Sequence, residues 1–265
     1  MSWPGWLLFA STALPLVAAT RANFRTSLIH SIAWAWLAWL GWAAALAIGG
    51  VYGYLALCLT GCAGVAVLGA RWPGAAAWNF VVASLLVVLL LPLAEASLTG
   101  TPLYLGIFRT SFLLVLLGVI VTNYLPTSLG AGALFLVFGC LTLLVEIRGT
   151  EQETIPAVAW LFCAAGLAWM GGRQRWPKRS TLDQRWLAFR DRYGAVWAQR
   201  VRDQFNRAAA NAGWKGYLRW SGLCAGPDDV APREQMEEVL IALMKRFSLE
   251  TGSWTSTTRS ATHRR

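Results

Sequence analysis

Glu95 and Arg109 are the residues of this chain with the strongest claim to chemistry, because each falls inside a long apolar stretch. A charge held in lipid is costly, so it marks a pairing or a binding site. A short turn separates their two stretches. They can therefore meet as a structural ion pair, or Arg109 can receive an anionic headgroup or substrate. Three polar residues are weaker candidates: Asn79, Asn123 and His30. All three fall at the ends of apolar stretches. There an amide caps or bonds a neighbouring helix more readily than it binds a ligand.

The familiar catalytic constellations are missing. The chain has two His, and His263 lies in its polar C-terminal stretch, so one subunit cannot supply the two intramembrane ligands of a bis-histidine haem. It contains no HExxH, no GxSxG and no Walker A sequence. Cys58 and Cys62 are one turn apart, but the five Cys are scattered and read as small core residues. The sequence thus implies no catalytic residue, no metal and no cofactor.

Those residues sit in a membrane frame. The chain is 56% hydrophobic and its mean hydropathy is +0.48. Apolar stretches fall at about 3–20, 28–48, 50–70, 77–98, 103–125, 127–147 and 155–172. About 20 apolar residues match a bilayer core, and in lipid such a segment must bond its own backbone as a helix. The expected fold is all-α: a polytopic transmembrane bundle of about seven spans over 1–172, a basic cytosolic helical region over 173–248 and a disordered tail over 249–265. The first stretch lacks a basic segment before its apolar run and reads as a retained helix, not a signal peptide.

Charge divides the chain. Residues 1–172 carry 5 Lys+Arg against 4 Asp+Glu, and residues 173–265 carry 18 against 9. With seven spans, Arg21, Arg25, Arg71, Arg173, Arg175, Lys178 and Arg179 share one side, while Glu95, Glu146, Glu151 and Glu153 fall on the other. The positive-inside rule puts the C-terminus in the cytoplasm and the N-terminus outside. Gly49 with Gly53 forms a GxxxG, and Gly61, Gly64, Gly130, Gly132 and Gly166 permit close helix approach. Trp34, Trp36, Trp39 and Trp42 spread over half of the second span. They either line a groove for a lipid or prenyl chain, or fill the core and face lipid.

The C-terminal region has its own pattern. Thr181 with Gln184 reads as a capping box. An apolar stripe follows through Leu182, Trp186, Phe189, Tyr193, Val196 or Trp197, Val201, Phe205 and Ala208, with Gly213 as the stop. This predicts one helix of about 30 residues, kinked at Gly194, with Arg185, Arg190, Arg192, Arg200, Arg202 and Arg207 on its other faces. Residues 214–223 read as extended or looped. Pro232 opens a second amphipathic helix through Met236, Leu240, Leu243 and Phe247. The two helices pack together as a cytosolic cap, or the longer one lies on the membrane with its arginines on anionic headgroups. Trp186, Phe189, Trp197, Arg200 and Phe205 are the candidate contacts to a partner or the membrane.

The run RWLAFRDRYGAVWAQRVRDQFNRAAANAGWKGYLRWSGL resembles the C-terminal segment of uncharacterised multi-spanning proteins of planctomycete bacteria. The 20 Arg against 3 Lys suit a GC-rich genome. The resemblance covers about 40 residues and implies a bacterial inner-membrane protein without assigning any residue a role. The expected partners are the lipid bilayer and a protein at the cytosolic region; nucleic acid is not expected, and nothing specifies an oligomeric state. The expected function is a non-catalytic accessory or scaffold subunit. The alternatives are a carrier for a small or amphiphilic molecule, which needs a polar cavity near mid-membrane, and a lipid-handling enzyme, which needs polar residues clustered at one interface.

Overall fold

The structure, a computed structural model, describes residues 3–71, 74–148, 155–172, 180–224 and 233–247. Pro232, Glu151, Glu153, Arg173, Arg175, Lys178, Arg179 and the segment 249–265 lie outside the described residues. In chain order the helices are α1 (Trp3–Ser11), α2 (Ala13–Asn23), α3 (Ile29–Ile48), α4 (Val51–Ala66), α5 (Ala75–Thr99), α6 (Ile107–Tyr124), α7 (Gly130–Arg148), α8 (Ile155–Gly172), α9 (Thr181–Asn211) and α10 (Arg233–Met244). Five stretches are long and apolar enough to cross a membrane: α3, α4 with the 3-10 turn after it, α5, α6 and α7. The chain is an integral membrane protein on this evidence. The apolar helix Ala157–Gly172 is shorter.

The first apolar stretch is two short helices instead of one. Pro15 has no N–H for the carbonyl of Ser11, and the hydroxyls of Ser11 and Thr12 turn back to the carbonyls of Leu8 and Phe9 at 2.6 Å. The chain therefore breaks at Thr12 between α1 and α2.

Helix α4 is the centre of the bundle. It packs against α3, α5, α6 and α7, and α8 closes the assembly by packing on α7, α1 and α2. Tyr54, Ala56, Leu57, Cys58 and Cys62 of α4 are at most 2% exposed. Gly49 and Gly50 form the two-residue link from α3 to α4, while Gly53 meets Leu143 of α7. The GxxxG reading is thus corrected: its first Gly turns the chain and only its second meets a helix. Gly166 has nothing within 4 Å of a side-chain position. It supports no close approach.

The four Trp of α3 tie helices together. Their indole N–H groups donate to Asn79 of α5, Thr20 of α2, Thr12 and Thr60 of α4, at 3.3, 3.0, 2.9 and 3.1 Å. An indole N–H in an apolar setting needs such a partner. Helix α5 is the peripheral member. It holds to α4 through the Tyr54 hydroxyl, which donates to the Leu89 carbonyl at 2.6 Å in the turn before Pro92. Phe80, Val87, Val88 and Leu91 face outward.

The all-α expectation needs one amendment. Tyr217–Arg219 (β1) and Gly222–Cys224 (β2) pair antiparallel with Leu218 opposite Leu223. The amide of Asn206 on α9 acts as a third strand, accepting from Leu218 N at 2.7 Å and donating to its carbonyl at 3.1 Å.

Close packing of α4 on α6 is exact enough to test. A methyl group on Gly64 would lie 2.3 Å from Cγ1 of Ile120. Gly64→Ala is expected to cost about 1–3 kcal/mol by overpacking. Thermal melting in detergent should show this loss. Ile120→Ala in the same chain should recover part of it, which a loss unrelated to this contact would not.

Candidate functional site

A group of polar residues from α6, the α6–α7 loop, α9 and the hairpin meets at one end of the bundle, where α9 crosses it. The helix starts one residue earlier than the capping-box reading. Ser180 is the cap: its Oγ accepts from Asp183 N at 3.2 Å and donates to Asp183 Oδ2 at 2.9 Å. The helix ends as Gly213 implies, with Trp214 N bonding Ala209 O at 2.9 Å and Gly213 N bonding Ala210 O at 3.1 Å. Between these ends the backbone breaks at Gly194, with φ 76° and ψ −176°.

That break is seated on the bundle. Asn123, in the last turn of α6, is 2% exposed. Its Oδ1 accepts the N–H of Val196 at 3.1 Å. Val196 stands in the first turn after the break, where helix amides lack an internal acceptor. Asn123 therefore caps the second half of α9 from another helix. Its Nδ2 is buried without a partner. A Cβ at Gly194 would fall 2.3–2.6 Å from the Asn123 amide. Only glycine permits both the positive φ and this approach.

Further bonds fix α9 on either side. The Trp197 indole donates to the Val67 carbonyl after α4 at 3.1 Å. Asp191 Oδ1 accepts from Ser128 N in the α6–α7 loop at 3.2 Å and from Arg190 Nε at 2.8 Å. Arg190 Nη1 donates to the Trp220 carbonyl at 3.0 Å, and the Trp220 indole returns to the Pro126 carbonyl at 2.7 Å. This closes a polar circuit through loop, helix and hairpin. Arg190 is 8% exposed, which corrects its expected place on a solvent face. At 100° per residue Arg190 stands only about 40° from Trp186, so it falls within the stripe.

The stripe of α9 is consumed by the protein itself. Trp186 and Phe205 are 0% exposed, and Phe189 and Trp197 are 6% exposed. They pack with Leu28, Val67 and Ala70 of the bundle, Leu218 of the hairpin, and Met236, Leu240 and Phe247 of α10 and the turn after it. Neither sequence alternative named this arrangement. The tail packs on itself and on the bundle end together. Trp197, not Val196, is the buried member at that level, and Ala209 replaces Ala208. Of the five candidate contact residues only Arg200 remains at the surface, its guanidinium 4.9 Å from the Trp197 ring. Tyr193 donates to the Phe247 carbonyl at 3.1 Å. Burial pushes its hydroxyl above the ordinary phenol pKa.

The remaining candidates lie elsewhere. Arg109 Nη2 donates to Glu95 Oε1 and Oε2 at 3.0 and 2.8 Å, with side chains 39% and 59% exposed. Helix α6 begins after Gly106, four residues later than the expected span, so Arg109 sits in its first turn and not two turns deep. Glu95 lies near the C-terminus of α5. Each charge opposes its own helix dipole, and the pair neutralises both. Asn79 receives the Trp34 indole and is a helix tie. His30, in the first turn of α3, is half-buried and makes no hydrogen bond among the described residues. No group of three or more His, Cys, Asp or Glu among the described residues could hold a metal ion. The crevice between α4, α6 and α7 is lined by Leu57, Gly61, Leu113, Leu116, Leu117 and Leu144 and has no room for a water molecule.

Two outcomes follow. Gly194→Ala places a methyl against Asn123 at a left-handed backbone position, and is expected to cost more than about 2 kcal/mol. Proteolysis of the full chain should then cut within α9. Adding Asn123→Ala should restore only part of the protection, because the backbone strain remains. By contrast, Arg109→Ala removes a surface pair and is expected to cost about 1 kcal/mol or less in a detergent melt. A large loss there would mean a buried pair.

No protein-family model, no curated protein and no solved structure matches the chain.

Proposed function

We propose that this chain is a non-catalytic accessory or scaffold subunit of a bacterial inner membrane, whose docked C-terminal region offers a basic surface to a protein partner. One observation carries the reading: the aromatic stripe of α9 is spent on the bundle end, so the face left outward is polar and arginine-bearing. Arg192, Arg200 and Arg207 of α9 and Lys215 before the hairpin are exposed. A rigid cationic platform suits a partner with an acidic face.

The interior favours this reading over a carrier. The crevice beside α4 is apolar and closed to water. A lipid-handling enzyme gains no support either, since Arg190, Asp191 and Trp220 at the tail end bond one another and the chain backbone.

We further propose seven crossings, with α1 and α2 together forming the first. Trp3–Asn23 would span about 31 Å at 1.5 Å per residue, enough for a bilayer core. The ends that meet the tail are Leu28, Val67 to Ala70, Tyr124 and Pro126. An up-down order of seven crossings returns the chain to that end each time. With the cationic loop residues Arg21, Arg25 and Arg71 on that side, the positive-inside rule makes it cytoplasmic.

The tests are separate. A phosphatase fused after Gly172 should be inactive and one fused near Glu151 active; activity at the first site would reverse the orientation. The full chain should co-purify a defined partner, and Arg192→Glu with Arg207→Glu should lose it while the melt stays unchanged. A partner retained by that variant would place the docking surface elsewhere.

A further inference from the structure

We propose that the cations gathered around Ser27 form a site for the phosphate of an anionic phospholipid headgroup. The inference is independent of the accessory reading above.

Ser27 is 1% exposed and ties three distant segments together. Its Oγ lies 2.6 Å from the Ala70 carbonyl and 3.1 Å from the Phe247 carbonyl, and its N–H donates to Phe247 O at 3.1 Å. Each segment brings a cation to this knot. Arg25 stands two residues before Ser27, Arg71 follows Ala70, and Arg246 precedes Phe247. A fourth segment adds Arg200. It stacks on Trp197, whose ring meets Phe247 edge-on at 5.2 Å. Arg21 lies one turn before Arg25, in the last turn of α2.

All five arginines are exposed. Among the described residues Arg21, Arg71, Arg200 and Arg246 make no ion pair. Acidic groups of the same region are engaged elsewhere: Asp191 with Arg190, Glu237 with Arg185 and Asp203 with Arg202. Like charges brought together from four segments repel, and a bound anion removes that repulsion. Guanidinium groups suit phosphate oxygens in particular.

Two observations select a lipid as the source of the phosphate. Arg21 and Arg71 stand where α2 and the turn after α4 end, which is headgroup depth for apolar helices. Phe24, between Arg21 and Arg25, is 69% exposed. A bare ring flanked by cations fits a surface where the ring enters the acyl boundary and the cations meet phosphates. Free phosphate leaves that ring in water.

The test uses the full chain in neutral detergent with three probes: phosphatidylglycerol, phosphatidylcholine and inorganic phosphate. Retention is read by native mass spectrometry and by the melting temperature. Phosphatidylglycerol should be retained at least ten-fold over phosphatidylcholine, raise the melting temperature, and be released by added salt. Arg71→Gln with Arg246→Gln should cut its retention by roughly twenty-five-fold, about five-fold per charge. Arg219→Gln, exposed on the hairpin, should leave it unchanged. If the double variant melts early without lipid, Phe24→Ser, at an exposed ring, should lower retention while leaving the lipid-free melt intact. Equal retention of the two lipids would overturn the proposal in favour of a protein occupant. Stabilisation by inorganic phosphate equal to that by phosphatidylglycerol would overturn it in favour of a soluble anion.

Discussion

Helix α9 has to break at Gly194, and a broken helix exposes backbone amides that need acceptors. The acceptor for Val196 comes from Asn123, at the end of a different helix, 3.1 Å away. This bond sets both the position and the rotation of α9 on the bundle. With that register, the Trp197 indole reaches the Val67 carbonyl and Asp191 reaches Ser128. The circuit from Arg190 through Trp220 to Pro126 then seats the hairpin. The joint has a cost, since the Asn123 Nδ2 is buried without an acceptor. Such a donor costs about 1–3 kcal/mol. The isosteric carboxylate would lack that amine but would bring a charge that is harder to bury.

The energetic weight lies in the apolar contacts that this joint aligns. Burying Trp186, Phe189, Trp197 and Phe205 is worth about 1.5–3 kcal/mol for each aromatic side chain. Their cover comes both from α10 and the hairpin and from the ends of the spanning helices. The C-terminal region therefore shares a second core with the end of the bundle, and what it offers outward is charge. Its functional reading depends on that division: the hydrophobic face is occupied, and the arginine face is available.

Periodicity made much of this legible. The apolar spans, the stripe of α9, its stop at Gly213 and the second amphipathic helix all follow from spacing. Periodicity shows that a face must be covered, however, and not what covers it. The bundle end was invisible for that reason, since Leu28, Val67 and Ala70 look like ordinary span residues. Arg190 is legible in the spacing, because its angular position lies inside the stripe, but its charged side chain reads as a surface residue. Arg109 sits shallower than the apolar pattern implies because Pro102 and Gly106 delay the start of α6. Ser27 carried no signal at all, being a common loop residue whose two carbonyl partners come from distant segments.

Hydrogen exchange at a single amide tests the docked joint most directly. Val196 stands in the first turn of a restarted helix, where an amide without an external acceptor exchanges rapidly. In the full chain in detergent, slow exchange at Val196 is expected, and Asn123→Ala should bring it to the rate of an open amide while Val201 stays protected. Fast exchange at Val196 in the unmodified chain, with the helix otherwise intact, would contradict the docking of α9 on α6.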